Sequence, residues 1–326
     1  MRPSAPGSGE DLKIRVRLAS PRPAPKGVVR TANVVSHARV QDKKCPRDFS
    51  LSPTVDTCRS VLHTFAMLTD DQIRFFHTFG FLILRQLFSK QEMDSFTREA
   101  EELWEQELGH GSEESKFFHC TGVVEARSAV RAALIDDRLY LPLTQLLGDD
   151  FILSGSECNY GVQSGTNAHH WHSDRPGRHE LSYTRIKIML YLDPMRVENG
   201  AFRIIPGSHR SPLHEDLEPF HRSHADPDPT YFGLRGDEIP CQIMTTDPGD
   251  VVLFHHCLYH AVYAKSGRRR YMAFKLAARP TCAEHLASHR KWQPGTFEPH
   301  ETLRNSPNPR IRRMVEGLAE LGAENL

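Results

Sequence analysis

Beyond Asp150 the chain breaks into short β-prone runs, at 151–153, 185–192, 201–205, 242–245, 251–254 and 270–276, each set off by Gly, Pro, Asn or Asp. Short strands separated by turn residues close into a sandwich or barrel far more readily than into a helical bundle or a doubly wound sheet. The residues before them have a different period. Thr69-Asp70-Asp71-Gln72 and Ser89-Lys90-Gln91-Glu92 each carry a hydroxyl with Gln or Glu three residues later, the pattern of a capping box. The first opens a helix that buries Ile73 and Phe76 and stops at Gly80, and Phe81-Leu82-Ile83-Leu84 then forms a strand. The second opens a helix with Met93, Phe96, Ala100 and Leu103 on one face. A helical pattern over 128–147, interrupted at Asp136-Asp137, ends at Gly148.

Within the β region lies His169-His170-Trp171-His172-Ser173-Asp174. On extended backbone, residues two apart share a face, so His172 and Asp174 can offer an imidazole and a carboxylate to one ion. A third ligand must come from elsewhere. His255, His256 and His260 follow the strand 251–254, and clustered histidines are the common mark of metal binding. Spacing alone does not choose among the three. Two histidines and one carboxylate on one face of a metal leave open positions for a cosubstrate and O₂, as in non-haem Fe(II) oxygenases, whereas a closed four-ligand site leaves none. His169, His170, His255 and His256 are expected beside the metal or in the core. Lys187, which shares a strand face with Met189 and Tyr191, and Asn159 are candidates to contact a cosubstrate; the alternative for Lys187 is an amphipathic side chain reaching for solvent.

These residues, taken with their surroundings, resemble the phytanoyl-CoA dioxygenase family of Fe(II)/2-oxoglutarate oxygenases. The resemblance runs over 68–278: Leu68-Thr69-Asp70-Asp71-Gln72, Gly80-Phe81-Leu82-Ile83-Leu84, His172-Ser173-Asp174, Leu190-Tyr191-Leu192-Asp193-Pro194, Glu198-Asn199-Gly200 through Pro206-Gly207-Ser208-His209, and Gly249-Asp250-Val251-Val252-Leu253-Phe254-His255 with His260. It implies a double-stranded β-helix, or jelly roll, flanked by helices. It implies Fe(II) held by His172, Asp174 and His260, with 2-oxoglutarate as cosubstrate and O₂ as oxidant. It also implies an arginine about ten residues beyond His260 for the distal carboxylate of 2-oxoglutarate, a role suited to a planar guanidinium. Arg268, Arg269 and Arg270 compete. If the apolar face of the strand 270–276 points into the barrel, Arg270 accompanies Met272, Phe274 and Leu276 there and is the expected ligand, with Arg269 on the opposite face. In related halogenating enzymes a small residue replaces the carboxylate, so Asp174 implies hydroxylation.

Two other classes deserve weighing. His170-Trp171-His172-Ser173-Asp174 fits the H-x-H-x-D of metallo-β-lactamase-like hydrolases, but Arg175 occupies the position of that pattern's next histidine. A catalytically silent, ligand-binding member of the oxygenase fold would be expected to lack part of the triad or the arginine.

The remaining expectations concern organisation. Residues 1–60 hold 12 Lys or Arg against 5 Asp or Glu in a chain whose formal net charge is zero, and they are rich in proline. Such a segment buries too little apolar surface to offset its ordering entropy, so a disordered basic arm is expected, followed by one domain over 61–326 with a C-terminal helical extension. The segment 213–235, with clustered His, Asp and Pro, reads as a structureless loop and candidate lid. A last helix over 309–321 is expected to pack Ile311, Met314, Leu318 and Leu321 on the core. The seven scattered cysteines have no C-x-x-C and form no zinc or disulfide framework. No apolar run approaches the roughly 20 residues of a membrane span, and the amino terminus has no signal-peptide core. Composition calls for no membrane or nucleic-acid partner and leaves the cytoplasm as the default, while the resemblance implies an enzyme acting on a small molecule; oligomeric state is not legible.

Overall fold

A computed structural model of the chain describes residues 67–108, 117–164, 168–292 and 298–322; the basic arm expected over 1–60 lies outside them. The helical first half forms as its caps require. The Thr69 hydroxyl accepts from the Gln72 N–H, and the Gln72 side chain returns to the Thr69 N–H, opening α1 (Asp70–Phe79). β1 (Phe81–Leu84) follows, and the reciprocal Ser89–Glu92 box opens α2 (Lys90–Leu108). After β2 (Phe117–Thr121) come α3 (Val123–Ala126), α4 (Ser128–Ile135) and α5 (Asp137–Leu147), the last two separated by Asp136, whose carboxylate caps α5.

The β region comprises β3 (Ile152–Ser164), β4 (His169–His172), β5 (Arg185–Tyr191) and β6 (Phe202–Ile204), then α6 (Leu213–Asp216), α7 (Glu218–Ser223) and the hairpin β7 (Thr230–Tyr231) with β8 (Leu234–Arg235). β9 (Gln242–Met244), β10 (Val251–His255), β11 (His260–Val262) and β12 (Ser266–Ala277) complete it. All pairings within its two main sheets are antiparallel: a six-stranded sheet in the order β1-β10-β5-β12-β3-β2 and a four-stranded sheet in the order β4-β11-β6-β9. Met189, Tyr191, Phe254 and Ala273 of the large sheet pack with Phe202, Ile204, Met244 and Val262 of the small one, so the two faces close on each other as a jelly roll.

The outer face of the large sheet carries the main apolar core. Ile186, Ile188, Leu190, Met272, Phe274 and Leu276 are fully buried there against Met93, Phe96 and Leu103 of α2, Leu139 and Leu143 of α5, and Ile311 and Met314. Burying each large apolar side chain contributes about 1.5–3 kcal/mol, so this seam between sheet and helices is the principal source of stability. The apolar alternation of β12 therefore points outward to the helices. The barrel interior takes the other set of positions, Arg269, Tyr271, Ala273 and Lys275.

The segment 213–235 departs from expectation: it is α6, α7 and a hairpin. Leu217, Phe220 and Tyr231 pack with Trp171, Tyr259 and Tyr263 into a third apolar cluster, so it is anchored rather than structureless. Downstream, α8 (Ala283–Trp292) is tied to the barrel by buried Glu180, which accepts from Arg185 Nη1 at 3.0 Å and Trp292 Nε1 at 2.9 Å and is also bonded to the Ser288 hydroxyl. After α9 (Glu301–Arg304), the expected last helix forms as α10 (Pro309–Val315) and α11 (Leu318–Gly322), broken at Gly317 and packed through Ile311, Met314 and Leu318. Among the described residues, no helix is long and apolar enough to cross a membrane.

Gly80 sets the angle between α1 and β1. Its φ is +83°, and a Cβ there would lie 2.6 Å from His209 Nδ1 and 2.8 Å from Leu258 Cδ1. Gly80→Ala is therefore expected to destabilise the protein by about 1–3 kcal/mol, measured as a lower denaturant midpoint in chemical unfolding; an unchanged midpoint would show that the turn relaxes freely.

Candidate metal centre and adjoining cavities

The small sheet builds the site through its register. β11 lies between β4 and β6, and His260 is the direct cross-strand partner of His172 on one side and of Ile204 on the other. Directly opposed residues of an antiparallel pair point to the same face, and the two imidazole centroids stand 4.2 Å apart. Asp174, two residues past His172, presents Oδ1 at 3.7 Å from His172 Nε2 and 3.8 Å from His260 Nε2. One ligand atom from each of the three lies within 4.8 Å of the others. Each histidine is oriented by its own backbone: His172 Nδ1 donates to the His170 carbonyl at 2.7 Å and His260 Nδ1 to the Leu258 carbonyl at 2.9 Å. This leaves both Nε2 lone pairs directed at a common point beside a carboxylate, the tautomer and donor set a divalent transition metal needs.

The electrostatics suit a cation. Burial, followed by the neighbouring His172, pushes His260 down to about 3, and burial also lowers His172, so both are neutral ligands. Burial works against ionisation of Asp174, but Lys187 and the surrounding histidines outweigh it and hold the carboxyl well below its ordinary range. Lys187 Nζ lies 3.3 Å from Asp174 Oδ2 and 3.5 Å from Glu157 Oε1, and Glu157 pairs in turn with Lys275. Glu157 sits at about 2: burial opposes its charge, and Lys187 and Lys275 overcome that.

A cavity of about 280 Å³ opens beside the triad, lined by His119, Asn159, Lys187, Met189, Arg269 and Tyr271 among others. Lys187 and Asn159 thus lie where the sequence reading places them; the Asn159 carbonyl is bonded to His119 at 2.7 Å and its Nδ2 has no partner. Arg270 does not. It faces outward, where its Nη2 donates to Asp193 Oδ1 at 2.7 Å, its backbone N–H donates to Asp193 Oδ2 at 2.9 Å, and Nη1 pairs with Glu101. The cavity arginine is Arg269, stacked over the rings of Tyr191 and Tyr271 and donating through Nη2 to the Tyr191 hydroxyl at 3.0 Å. Arg270 is turned away from the cavity because the most apolar face of β12 serves the sheet–helix seam, leaving the polar face to line the barrel. Arg269 is 9% exposed and, among the described residues, has no carboxylate within ion-pair distance; its Nε is without a hydrogen-bond partner.

His119, Glu157 and Tyr271 are cavity residues that sequence reasoning missed. Glu157 alternates with Asn159 along β3, a signal that was available; His119 lies on β2, a strand of only five residues closed by Gly122. The remaining histidines fall outside the triad: His170 packs near Tyr263, and His255 packs near His209 and accepts from the Cys257 N–H. The H-x-H-x-D hydrolase pattern is therefore not assembled, since His170 does not join His172 and Asp174.

A jelly roll whose small sheet presents two histidines and a carboxylate to one point defines a class of metal-dependent enzymes. The chain belongs to the phytanoyl-CoA dioxygenase family, whose sequence pattern it matches over residues 76–272. It is 29% identical over 154 residues to dioxygenase lolE1 of Epichloe uncinata, covering 47% of this chain and 56% of that protein. It is 25% identical over 207 residues to the ectoine dioxygenase of Bordetella bronchiseptica, covering 57% and 67%. The chain thus spans little more than half the length of the first relative. Its fold resembles that of HygX from Streptomyces hygroscopicus, solved with nickel and 2-oxoglutarate bound, with a TM-score of 0.54 at 20% identity over 66% of this chain and 88% of that one. It also resembles EctD from S. alaskensis in its apo form, with a TM-score of 0.50 at 20% identity over 67% and 80%.

The two adjacent arginines should separate in stability. Arg270→Ala leaves buried Asp193 with the half-exposed Arg268 as its ion partner and is expected to cost about 1–3 kcal/mol. Arg269→Met removes a buried charge that has no carboxylate and should cost much less. Equilibrium denaturation of both variants checks this; equal losses would refute the assignment of Arg270 to the structural pair.

Proposed function

We propose that the protein is an Fe(II)/2-oxoglutarate-dependent dioxygenase that hydroxylates a small molecule. The observation that carries this reading is the pairing, along one cavity, of the His172–Asp174–His260 donor set with Arg269, a buried guanidinium that lacks a carboxylate of its own.

His172, Asp174 and His260 would hold the metal, which when bound supplies the redox chemistry that couples 2-oxoglutarate decarboxylation to substrate oxidation. Three protein ligands leave the other positions to cosubstrate and oxygen. Arg269 offers a planar fork to the distal carboxylate of 2-oxoglutarate, and the Tyr191 hydroxyl fixes the plane of that fork. Asn159, on the wall of the same cavity, is a further candidate to contact the cosubstrate. Lys187 balances the negative charge of Asp174 and Glu157, and so orients the carboxylate that the metal requires. Because Asp174 is present in the triad, the proposed outcome is hydroxylation.

Asp174→Ala is expected to abolish Fe(II)-dependent succinate formation from 2-oxoglutarate, while chelation of the wild type should abolish it reversibly, with activity restored by added Fe(II). Near-normal turnover in Asp174→Ala would sink the triad; zinc content with hydrolytic turnover, or iron binding with no 2-oxoglutarate consumption, would favour a hydrolase or a silent binder. Arg269→Met should raise the 2-oxoglutarate concentration needed for half-maximal rate by about tenfold or more, and an unchanged requirement would place the cosubstrate elsewhere.

A further inference from the structure

β2, at the edge of the large sheet, contributes Phe117 and His119 to the cavity that holds the triad, and the chemistry proposed above uses neither. Their direction follows from packing. Phe118 and Cys120 are buried in the core shared with the helices, which turns the alternate residues Phe117 and His119 inward. Register then fixes their place. Across the inner face of the sheet, Phe117, Gly161 and Arg269 form one row, and His119, Asn159, Tyr271 and Tyr191 form the next. β2 therefore lies two strand spacings from the strand that carries Arg269, about 9–10 Å, with a glycine between Phe117 and the guanidinium. A cosubstrate reaching from the triad to Arg269 leaves the β2 side of the cavity to the substrate. A second cavity, of about 360 Å³ and lined by Arg175, Lys275 and Trp292 among others, contains none of the three metal donors.

His119 is held in one state. Its Nδ1 lies 2.7 Å from Oδ1 of Asn159, a buried residue on the neighbouring strand. A carbonyl oxygen only accepts, so Nδ1 carries the proton and Nε2 keeps a lone pair. Among the described residues no group donates to that Nε2, and the side chain is only half-buried. The cavity has few other ways to hold a polar group. Asp174, Lys187 and Glu157 offset one another's charge, and Arg269 faces the cosubstrate. The rest of the wall is apolar: the Phe202 and Phe254 rings stand 5.2 and 5.1 Å from the His260 ring, and Met189 and Val262 line the same space.

We infer that His119 binds the substrate and selects a small, uncharged molecule with an apolar body and a hydroxyl or amide N–H. The donor meets His119 Nε2, and the body packs on Phe202, Phe254 and Met189 with its C–H bonds toward the triad. This inference rests on the oxygenase reading and adds to it the class of substrate and the residue that orients it. The cavity, of about 280 Å³, lies just below the 300–1,000 Å³ range of small-molecule sites and must admit the cosubstrate as well, so the body is no larger than a small ring.

The test uses the full chain loaded anaerobically with Fe(II) and saturating 2-oxoglutarate, with binding followed by calorimetry. The probes are cyclopentanol, cyclohexanol and 2-pyrrolidinone, each against its own O-methyl or N-methyl derivative. At least one donor probe is expected to bind about fivefold or more tightly than its methylated form, with the preference lost in His119→Phe. His119→Gln should keep part of it, because the amide nitrogen can donate to Asn159 while the amide oxygen faces the cavity; a merely structural histidine would give no such rescue. Thermal melting identifies a variant that fails to fold. A second readout needs no variant: with Zn(II) in place of Fe(II), the nitrogen resonance of His119 Nε2 should move when the donor probe binds. No donor probe outbinding its methylated form, a preference that survives His119→Phe, or an Nε2 resonance that stays in place would overturn the proposal. A loss of 2-oxoglutarate affinity of about tenfold in His119→Phe would also overturn it, by assigning His119 to the cosubstrate. Failure of the wild type to bind Fe(II) and 2-oxoglutarate would instead overturn the oxygenase reading, and the same comparison on the metal-free protein then tests His119 alone.

Discussion

The architecture hinges on one strand pairing, that of β11 with β4. The pairing sets His260 opposite His172, and Asp174 follows at the position where extended backbone returns to the same face. A slip of one residue would turn His260 away from His172 and dissolve the donor set, because side chains alternate across a sheet. The register is held by the apolar packing around it: Trp171 beside His172, with Tyr259 and Ala261 flanking His260, all bury in one cluster with residues of α7 and the β7–β8 hairpin. The helical excursion between the small-sheet strands thus clamps the strands that carry the ligands.

Much of this was legible before any coordinates. The capping boxes at Thr69 and Ser89, the break at Asp136, the strands β1, β5, β10 and most of β12, and the His172–Asp174 parity all follow from local rules, whereas β2 and most of β3 do not stand out in the sequence. What could not be read locally is which face of a strand looks inward. Periodicity separates Arg269 from Arg270 but does not say which set meets the helices; that depends on α2, α5 and α10 lying across the large sheet, a fact of tertiary assembly. The same holds for the third histidine, where spacing leaves His255, His256 and His260 open and it is the register of β11 that sets His260 opposite His172. The segment 213–235 differs from expectation for a related reason: its helices are too short to show a period, and their anchoring cluster draws on Trp171, Tyr259 and Tyr263, all distant in sequence.

The charge distribution inside the barrel follows from its low solvent content. Asp174, Lys187, Glu157 and Lys275 form a continuous alternating chain through the wall between the two cavities. Each member would be costly to bury alone, and together they balance one another's charge. Arg269 in one cavity and Arg175 in the other, neither with a carboxylate within ion-pair distance among the described residues, lie at either side of this chain.

The division of labour across β12 and β5 has a consequence for how such a protein can change over generations. Met272, Phe274, Leu276, Ile186, Ile188 and Leu190 stabilise the domain from one side of these strands, and the residues between them look into the cavities from the other. Alternate letters of the same strand are therefore under different physical demands. Substitutions at the inward positions can reshape what the cavities admit with little effect on the hydrophobic seam, so a lineage built on this scaffold can explore new substrates at odd steps while the even steps preserve its foldability.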